Sequence, residues 1–305
     1  MPARHGLPPL HLLLAIAVMV VWGTNFVVIK LALAHLPPLT FALLRFVFVF
    51  FPLAFFLPRP NASWRNLAVY GVLIGAGQFG IMFTALRTEI TPGLASLVVQ
   101  VQVFFTIGLA MWMTGEKVAR YQIVALLLAT SGLATIALHT DGSATPLGLG
   151  LVLLAAMSWA GGNMAARQAA PANMLSYVVW SALFAIPPLA LFALILEGPE
   201  AMLRGIRAAD GWTWGAVAWQ SVGNTMFGYV AWGWLLNRHP AAAVAPMALL
   251  VPVFGMGASA LFLNEPLQPW KLTAFALVMA GLTLGMLWPR VRARLMPGTL
   301  PSSPS

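Results

Sequence analysis

Seven carboxamides lie inside stretches otherwise too apolar to hold them: Asn25, Gln78, Gln100, Gln102, Asn163, Gln220 and Asn224. In hydrocarbon each needs a hydrogen-bond partner. An amide offers a carbonyl acceptor and N–H donors, so a set of them can hold both ends of a zwitterion by reversible contacts. Trp22 stands three residues before Asn25, and Trp159 four before Asn163, so each pair shares a helix face. Gln220 and Asn224 repeat the spacing of four. Gln100 and Gln102 do not: residues two apart stand about 200° apart on an α-helix, so at most one should face a common centre while the other bonds to a neighbouring helix. The chemistry that fits is binding in an amphipathic pocket, with Trp22 and Trp159 covering its apolar part. The competing reading is plain interhelical hydrogen bonding, common for Asn and Gln in membranes.

Other chemistries lack their residues. With no cysteine there is no disulfide, thiolate metal site or thiol nucleophile. Intramembrane acyl or glycosyl transfer needs clustered His, Asp or Glu near one membrane face, but the five histidines are scattered at 5, 11, 35, 139 and 239. No enzyme activity, cofactor or metal is expected. No Asp or Glu lies deep in an apolar stretch, so the usual midplane proton or sodium relay is missing. That favours transport driven by the substrate's own gradient, or coupling at the membrane edge. Arg45 is the one cation well inside a stretch. Snorkelling or a carbonyl bond is one reading of it; a gating or substrate-carboxylate contact is the other. Lys30, near the end of the first stretch, is expected to snorkel.

These residues must be positioned by membrane helices. The chain is 60% hydrophobic and 8% charged, whereas soluble domains carry about 25% charge. A bilayer core needs about 20 apolar residues per helix. Ten such spans are read at 10–34, 38–57, 67–86, 92–113, 119–138, 147–167, 173–196, 213–236, 241–263 and 268–288. Turn residues bound most of them, among them Pro37-Pro38, Pro92-Gly93, Asp141-Gly142 and Pro266. The first span resembles a signal peptide, with Arg4 ahead and Ala32-Leu33-Ala34 behind, but its apolar run is too long. The stretch from Glu197 to Asp210 reads as a short external interfacial helix.

The net charge of +9 follows from basic residues on the connections, not from nucleic-acid binding. With both termini on one side, that side carries Arg4, Arg59, Arg65, Lys117, Arg120, Arg167, Arg238, Arg290, Arg292 and Arg294, against Lys30, Arg87, Arg204, Arg207 and Lys271 opposite. Ten against five places both termini in the cytoplasm.

Spans six to ten read as a second copy of spans one to five. Val103 to Thr135 lies over Pro252 to Leu284 without a gap, pairing Gly108 with Gly257, Glu116 with Glu265 and Gly132 with Gly281. Gly80 matches Gly228 at an offset one smaller. Because five is odd, the second copy is inverted, as in many secondary transporters with a midplane site between the halves. The expected fold is therefore all-α and integral to the membrane, with ten transmembrane helices in two inverted five-helix repeats. The repeats occupy 1–140 and 141–290, followed by a cytoplasmic tail at 291–305. The amides fall on spans one, three, four, six and eight, which with span nine would enclose a cavity; spans two, five, seven and ten would be scaffold. Gly23, Gly161 and Gly162 suit close packing or bending, and Pro246 and Pro252 should kink span nine, where a kink could serve as a gate.

Trp22-Gly23-Thr24-Asn25-Phe26-Val27-Val28-Ile29-Lys30, Leu94 to Phe105, Ser158-Trp159-Ala160-Gly161-Gly162-Asn163, Val179 to Leu183 and Ala245 to Val253 resemble the EamA family of the drug/metabolite transporter superfamily. The resemblance covers nearly the whole chain and is nearest to the O-acetylserine/cysteine exporters. It implies efflux of amino acids or related metabolites, aromatic and other neutral ones included, across a bacterial inner membrane, with a monomer sufficient. Rival readings are another solute such as a nucleotide sugar or drug, an intramembrane enzyme, or a receptor. A diphosphate would want several deep basic residues, and Arg45 is the one candidate; no soluble signalling domain supports a receptor. The residues expected to line the cavity are Trp22, Asn25, Gln78, Gln100, Gln102, Trp159, Asn163, Gln220 and Asn224.

Overall fold

Proline and short polar side chains start the helices. Pro9, Pro38, Pro92, Pro146, Pro199 and Pro269 each open one, where the missing N–H is no loss. Ser63, Thr145, Asn173 and Asp210 accept the backbone N–H of the residue three further on, satisfying donors that a helix start leaves free. The computed structural model describes residues 7–114, 119–139, 141–239 and 241–295. Among these the secondary structure is helical apart from one isolated bridge, Ile90 to Ala144.

The helices are α1 (Pro9–Ala32), α2 (Pro38–Ala54), α3 (Trp64–Thr88), α4 (Pro92–Met113), α5 (Arg120–Ala137), α6 (Pro146–Ala169) and α7 (Met174–Glu197). A short α8 (Pro199–Ala208) follows, then α9 (211–238), α10 (241–263) and α11 (Pro269–Leu295). Among the described residues, eight are long and apolar enough to cross a bilayer. The other two expected spans fall short by different routes: α2 has 17 residues, and α9 carries Gln220, Asn224 and Asn237 among its apolar residues.

Several helices depart from α geometry. Leu73–Gly80 in α3 and Trp219–Phe227 in α9 are wound as π-helix, each running up to one of the matched glycines Gly80 and Gly228. Val99–Val101 in α4 and Ala245–Leu250 in α10 are 3₁₀ turns. The kink expected from Pro246 and Pro252 takes this form, because Pro252 has no N–H for the carbonyl of Ala248. Val251 N–H bonds that carbonyl from three residues away instead.

Small residues set the contacts. A methyl group at Gly132 would lie 2.9 Å from the Ala274 carbonyl oxygen, and one at Gly281 2.5 Å from that of Ala125, so α5 and α11 meet backbone to backbone. Gly23 brings α1 equally close to α10 at Val251, and Gly161 and Gly162 seat α6 against Leu73 and Ile74 of α3. Helix α8 is amphipathic: Met202 and Ile206 pack inward, while Arg204 and Arg207 face out.

The helix ends gather at two faces. One face joins the ends of α1, α3, α5, α7 and α10 to the starts of α2, α4, α6, α9 and α11, and polar contacts seal it. Glu265 accepts from Thr91 Oγ1 (2.5 Å), Gly93 N (3.1 Å), Lys271 Nζ (3.2 Å) and Ser259 Oγ. Glu197 caps α2 through Leu39 N (2.6 Å), Thr40 N (2.9 Å) and Thr40 Oγ1 (2.6 Å). Thr145 Oγ1 donates to Glu89 (2.6 Å), and His35 Nδ1 lies 2.9 Å from Thr213 Oγ1. Asp210 accepts from the backbone N–H and hydroxyl of Thr213, which hold its carboxyl below the usual carboxylate range. Lys30 does not snorkel outward: its Nζ donates to the carbonyls of Leu86 (2.9 Å) and Arg87 (2.8 Å), which the end of α3 leaves unpaired.

Candidate binding cavity

A cavity of about 870 Å³ opens at the other face, between the 170–175 connection and the ends of α9 and α11 at Trp234, Leu236 and Met286. Its walls are Trp22 of α1, Tyr70 of α3, Gln100 and Gln102 of α4, Trp159 and Asn163 of α6, Tyr229 and Trp232 of α9, and Val251 of α10. Trp22, Gln100, Trp159, Tyr229 and Val251 are shared with a second, smaller chamber of about 70 Å³ next to it. Asn25, Gln78, Phe79 and Asn224 complete the chamber, which reaches Ile29 and Met82 on the way to the sealed face.

Eight of the nine residues expected to line a cavity therefore do so. Gln220 does not: its side chain is buried behind the wall, one turn from Asn224, where Nε2 donates to Asn25 Oδ1 (2.8 Å) and Oε1 accepts from Arg45 Nη1 (2.6 Å). Gln100 and Gln102 depart from expectation in the other direction, because both line the cavity. The 3₁₀ turn at Val99–Val101 has three residues per turn, which brings positions two apart to about 120° instead of about 160° by the shorter arc.

The wall amides are partly engaged. Asn163 Nδ2 donates to Gln102 Oε1 (3.1 Å), tying α6 to α4, and Thr106 Oγ1 donates to the same oxygen (3.2 Å). Gln100 Nε2 donates to the Ala248 carbonyl (2.9 Å), the one Pro252 cannot serve. Trp22 Nε1 donates to the Asn224 carbonyl (3.3 Å), joining α1 to the π-wound part of α9. Gln78 Oε1 is buried without a partner.

Beside the chamber sits Arg45, 1% exposed. It neither snorkels nor bonds a carbonyl of the backbone. Nη1 donates to Gln220 Oε1, Nη2 donates to Thr225 Oγ1 (3.0 Å), and the guanidinium carbon lies 3.6 Å from the centre of the Phe79 ring. With the Asn224 amide oriented to satisfy its neighbours, its Oδ1 accepts from Arg45 Nη1 (3.2 Å), Arg45 Nη2 (3.1 Å) and Asn25 Nδ2 (3.3 Å).

Tyr70, Tyr229 and Trp232 line the cavity without having been expected from the sequence. Aromatics near span ends read as interfacial anchors, so composition gave no signal for them. Tyr229 stands five residues from Asn224, which lies in the π-wound stretch just before it, and that winding leaves no mark in the sequence. Glu116, the expected repeat mate of Glu265, lies outside the described residues with Arg4 and Lys117, as do the side chains of Arg290, Arg292 and Arg294.

Against known proteins, residues 9–138 and 146–287 match the EamA-like transporter family. A Salmonella typhimurium protein named "Probable amino-acid metabolite efflux pump" is 41% identical over 285 residues, 92% of this chain and 95% of its own. An Escherichia coli protein of the same name is 40% identical over 293 residues, 94% of this chain and 98% of its own. One solved crystal structure, 18% identical, covers 92% of this chain and 97% of its own with a TM-score of 0.61, a likeness of fold.

Proposed function

This chain belongs to the EamA-like transporter family, and on that footing we propose that it exports amino acids or related small metabolites by alternating access through the cavity just described. It is a multi-pass membrane transporter and not an enzyme. The observation that carries the proposal is the cavity's polarity of access. It is open at one face, closed at the other by the contacts of Glu265, Glu197 and Lys30, and its walls carry amides and tryptophans on repeat-related helices. The names of the two relatives at 40% and 41% identity support the substrate class.

The proposed arrangement is ten transmembrane helices in two inverted repeats at 1–140 and 141–290, with both termini cytoplasmic. The packing supports it. Exchanging α1 with α6, α2 with α7, α3 with α9, α4 with α10 and α5 with α11 maps the main contacts onto themselves: α1 on α10 becomes α6 on α4, and α2 on α7 and α5 on α11 are their own mates. Gly132 faces Ala274 and Val278 while Gly281 faces Ala125 and Ala129, the same positions under one shift. All six described acidic residues sit at the sealed face, whereas Arg59, Arg65, Arg120, Arg167 and Arg238 sit at the open one. The open face is then the cytoplasmic side of a bacterial inner membrane, and the conformation is the one that loads substrate for export.

The test uses the purified chain in proteoliposomes with a panel of radiolabelled amino acids. The expected result is efflux of at least one, lost in Asn163→Ala and Trp159→Ala variants that still reach the membrane. Unchanged efflux in both would remove the site assignment, and no efflux of any amino acid would remove the substrate class.

A further inference from the structure

We infer that Arg45 is the counter-charge for a carboxylate on the substrate, acting through the Asn25 and Asn224 amides that separate it from the chamber. The inference rests on the export reading and narrows it to solutes that carry a carboxylate and enter that end first.

A guanidinium held away from water is costly unless its charge is met. Among the described residues the one ion pair is Lys271 with Glu265, so Arg45 has no carboxylate partner there. What meets it is dipolar: Gln220 Oε1, Asn224 Oδ1, Thr225 Oγ1 and the face of Phe79, and its Nε has no partner at all. The cation remains a net charge in a region of low dielectric.

The direction of these bonds fixes what the chamber wall presents. A guanidinium only donates, so it draws the carbonyl ends of Gln220 and Asn224 toward itself. Gln220 Nε2 in turn donates to Asn25 Oδ1. The oxygens of Gln220, Asn224 and Asn25 are thus spent on donors behind the wall. Asn25 and Asn224 line the chamber; one N–H of Asn25 goes to Asn224 Oδ1, and the N–H groups that remain on the two amides are what they can offer it. Donors backed by an unpaired positive charge form a receptor for an anion. Gln78 lines the same chamber and its Oε1 is buried without a partner, so a turn of that side chain would offer an acceptor to an ammonium group. A chamber of about 70 Å³ takes a small charged headgroup, leaving a side chain in the vestibule between Trp22 and Trp159.

The experiment measures competition against the best-exported amino acid in wild-type proteoliposomes by four probes: the same amino acid, its methyl ester, its primary amide, and the amine formed by loss of the carboxylate. Removing the anion should weaken competition roughly 10- to 100-fold, the scale of a charge-assisted contact. Arg45→Gln should level the four probes, and Arg45→Lys should keep their order at a lower rate. Equal competition by acid, ester and amine in the wild type would overturn the inference while leaving export standing, as would undiminished discrimination in Arg45→Gln. The wild-type arm decides the matter even if Arg45→Gln does not fold.

Discussion

Lys271 Nζ lies 3.2 Å from Glu265 Oε1, and both side chains are buried where α10 ends and α11 begins. Glu265 reaches from there to Thr91 and Gly93 at the start of α4. Lys271 and Met286, at the cavity mouth, are fifteen residues apart on α11, so the pair stands about 22 Å from the opening. It joins the two halves at the sealed face.

Breaking one partner of a buried pair typically costs about 3–5 kcal/mol, because the other charge is left alone. Glu265→Gln should lower the melting temperature in detergent, and adding Lys271→Met should restore part of the loss. The chain has no native cysteine, so Met82→Cys at the inner end of the chamber is a clean reporter. An impermeant maleimide added outside the membrane should label it faster in the Glu265→Gln background. Equal labelling rates would mean that this contact does not hold the face shut.

The seam between α5 and α11 makes a second case. Gly132→Ala and Gly281→Ala each push a methyl into backbone or side-chain atoms closer than 3 Å, and overpacking of this kind costs about 1–3 kcal/mol. Gly108→Ala and Gly257→Ala meet nothing within 4 Å. Thermal unfolding should separate the pairs, with a loss for the first and none for the second.

Transport should not need an imposed proton gradient. The described carboxylates, Glu89, Asp141, Glu197, Glu200, Asp210 and Glu265, all lie at helix ends or connections, and none lines the cavity. Counterflow in proteoliposomes should persist after an ionophore collapses the pH gradient. Counterflow that stops would place a coupling group at the membrane edge.

Ala170 ends α6 at the cavity mouth with φ 41°, a left-handed conformation. Such a position costs an L-residue about 1–2 kcal/mol and costs glycine little. Ala170→Gly should therefore raise the melting temperature slightly; an unchanged or lower value would show that the gain is lost to added freedom in the unfolded chain.

Much of this was legible because the bilayer restricts what a sequence can do. Pro38, Pro92 and Pro146 mark helix starts, and the spans around them differ from the helices by a few residues at their ends. Amides in hydrocarbon must find partners, so Asn25, Gln78, Gln100, Gln102, Asn163 and Asn224 pointed to one cavity. What escaped was local geometry. The 3₁₀ turn that brings Gln100 and Gln102 to a common cavity leaves no trace in an apolar stretch read at 3.6 residues per turn. Gln220 looks like Asn224 by type and spacing, and Arg45, on a helix the amides do not occupy, decides which of them faces the chamber. Lys30 could reach headgroups or helix ends with the same side chain, and only the position of α3 selects the latter.

A single-turn π-bulge holds one surplus residue relative to an α-helix, and the π-wound stretches of α3 and α9 are each read as one such bulge. Rewinding either as α would push the remainder of the helix along by about one residue's rise and swivel it through about 100°. Gln78 and Asn224 lie within these stretches. A swivel of that size would carry each amide off the chamber wall without tilting a whole helix. Each half of the chain thus contains its own rotary slack, placed at the level of the small end of the cavity.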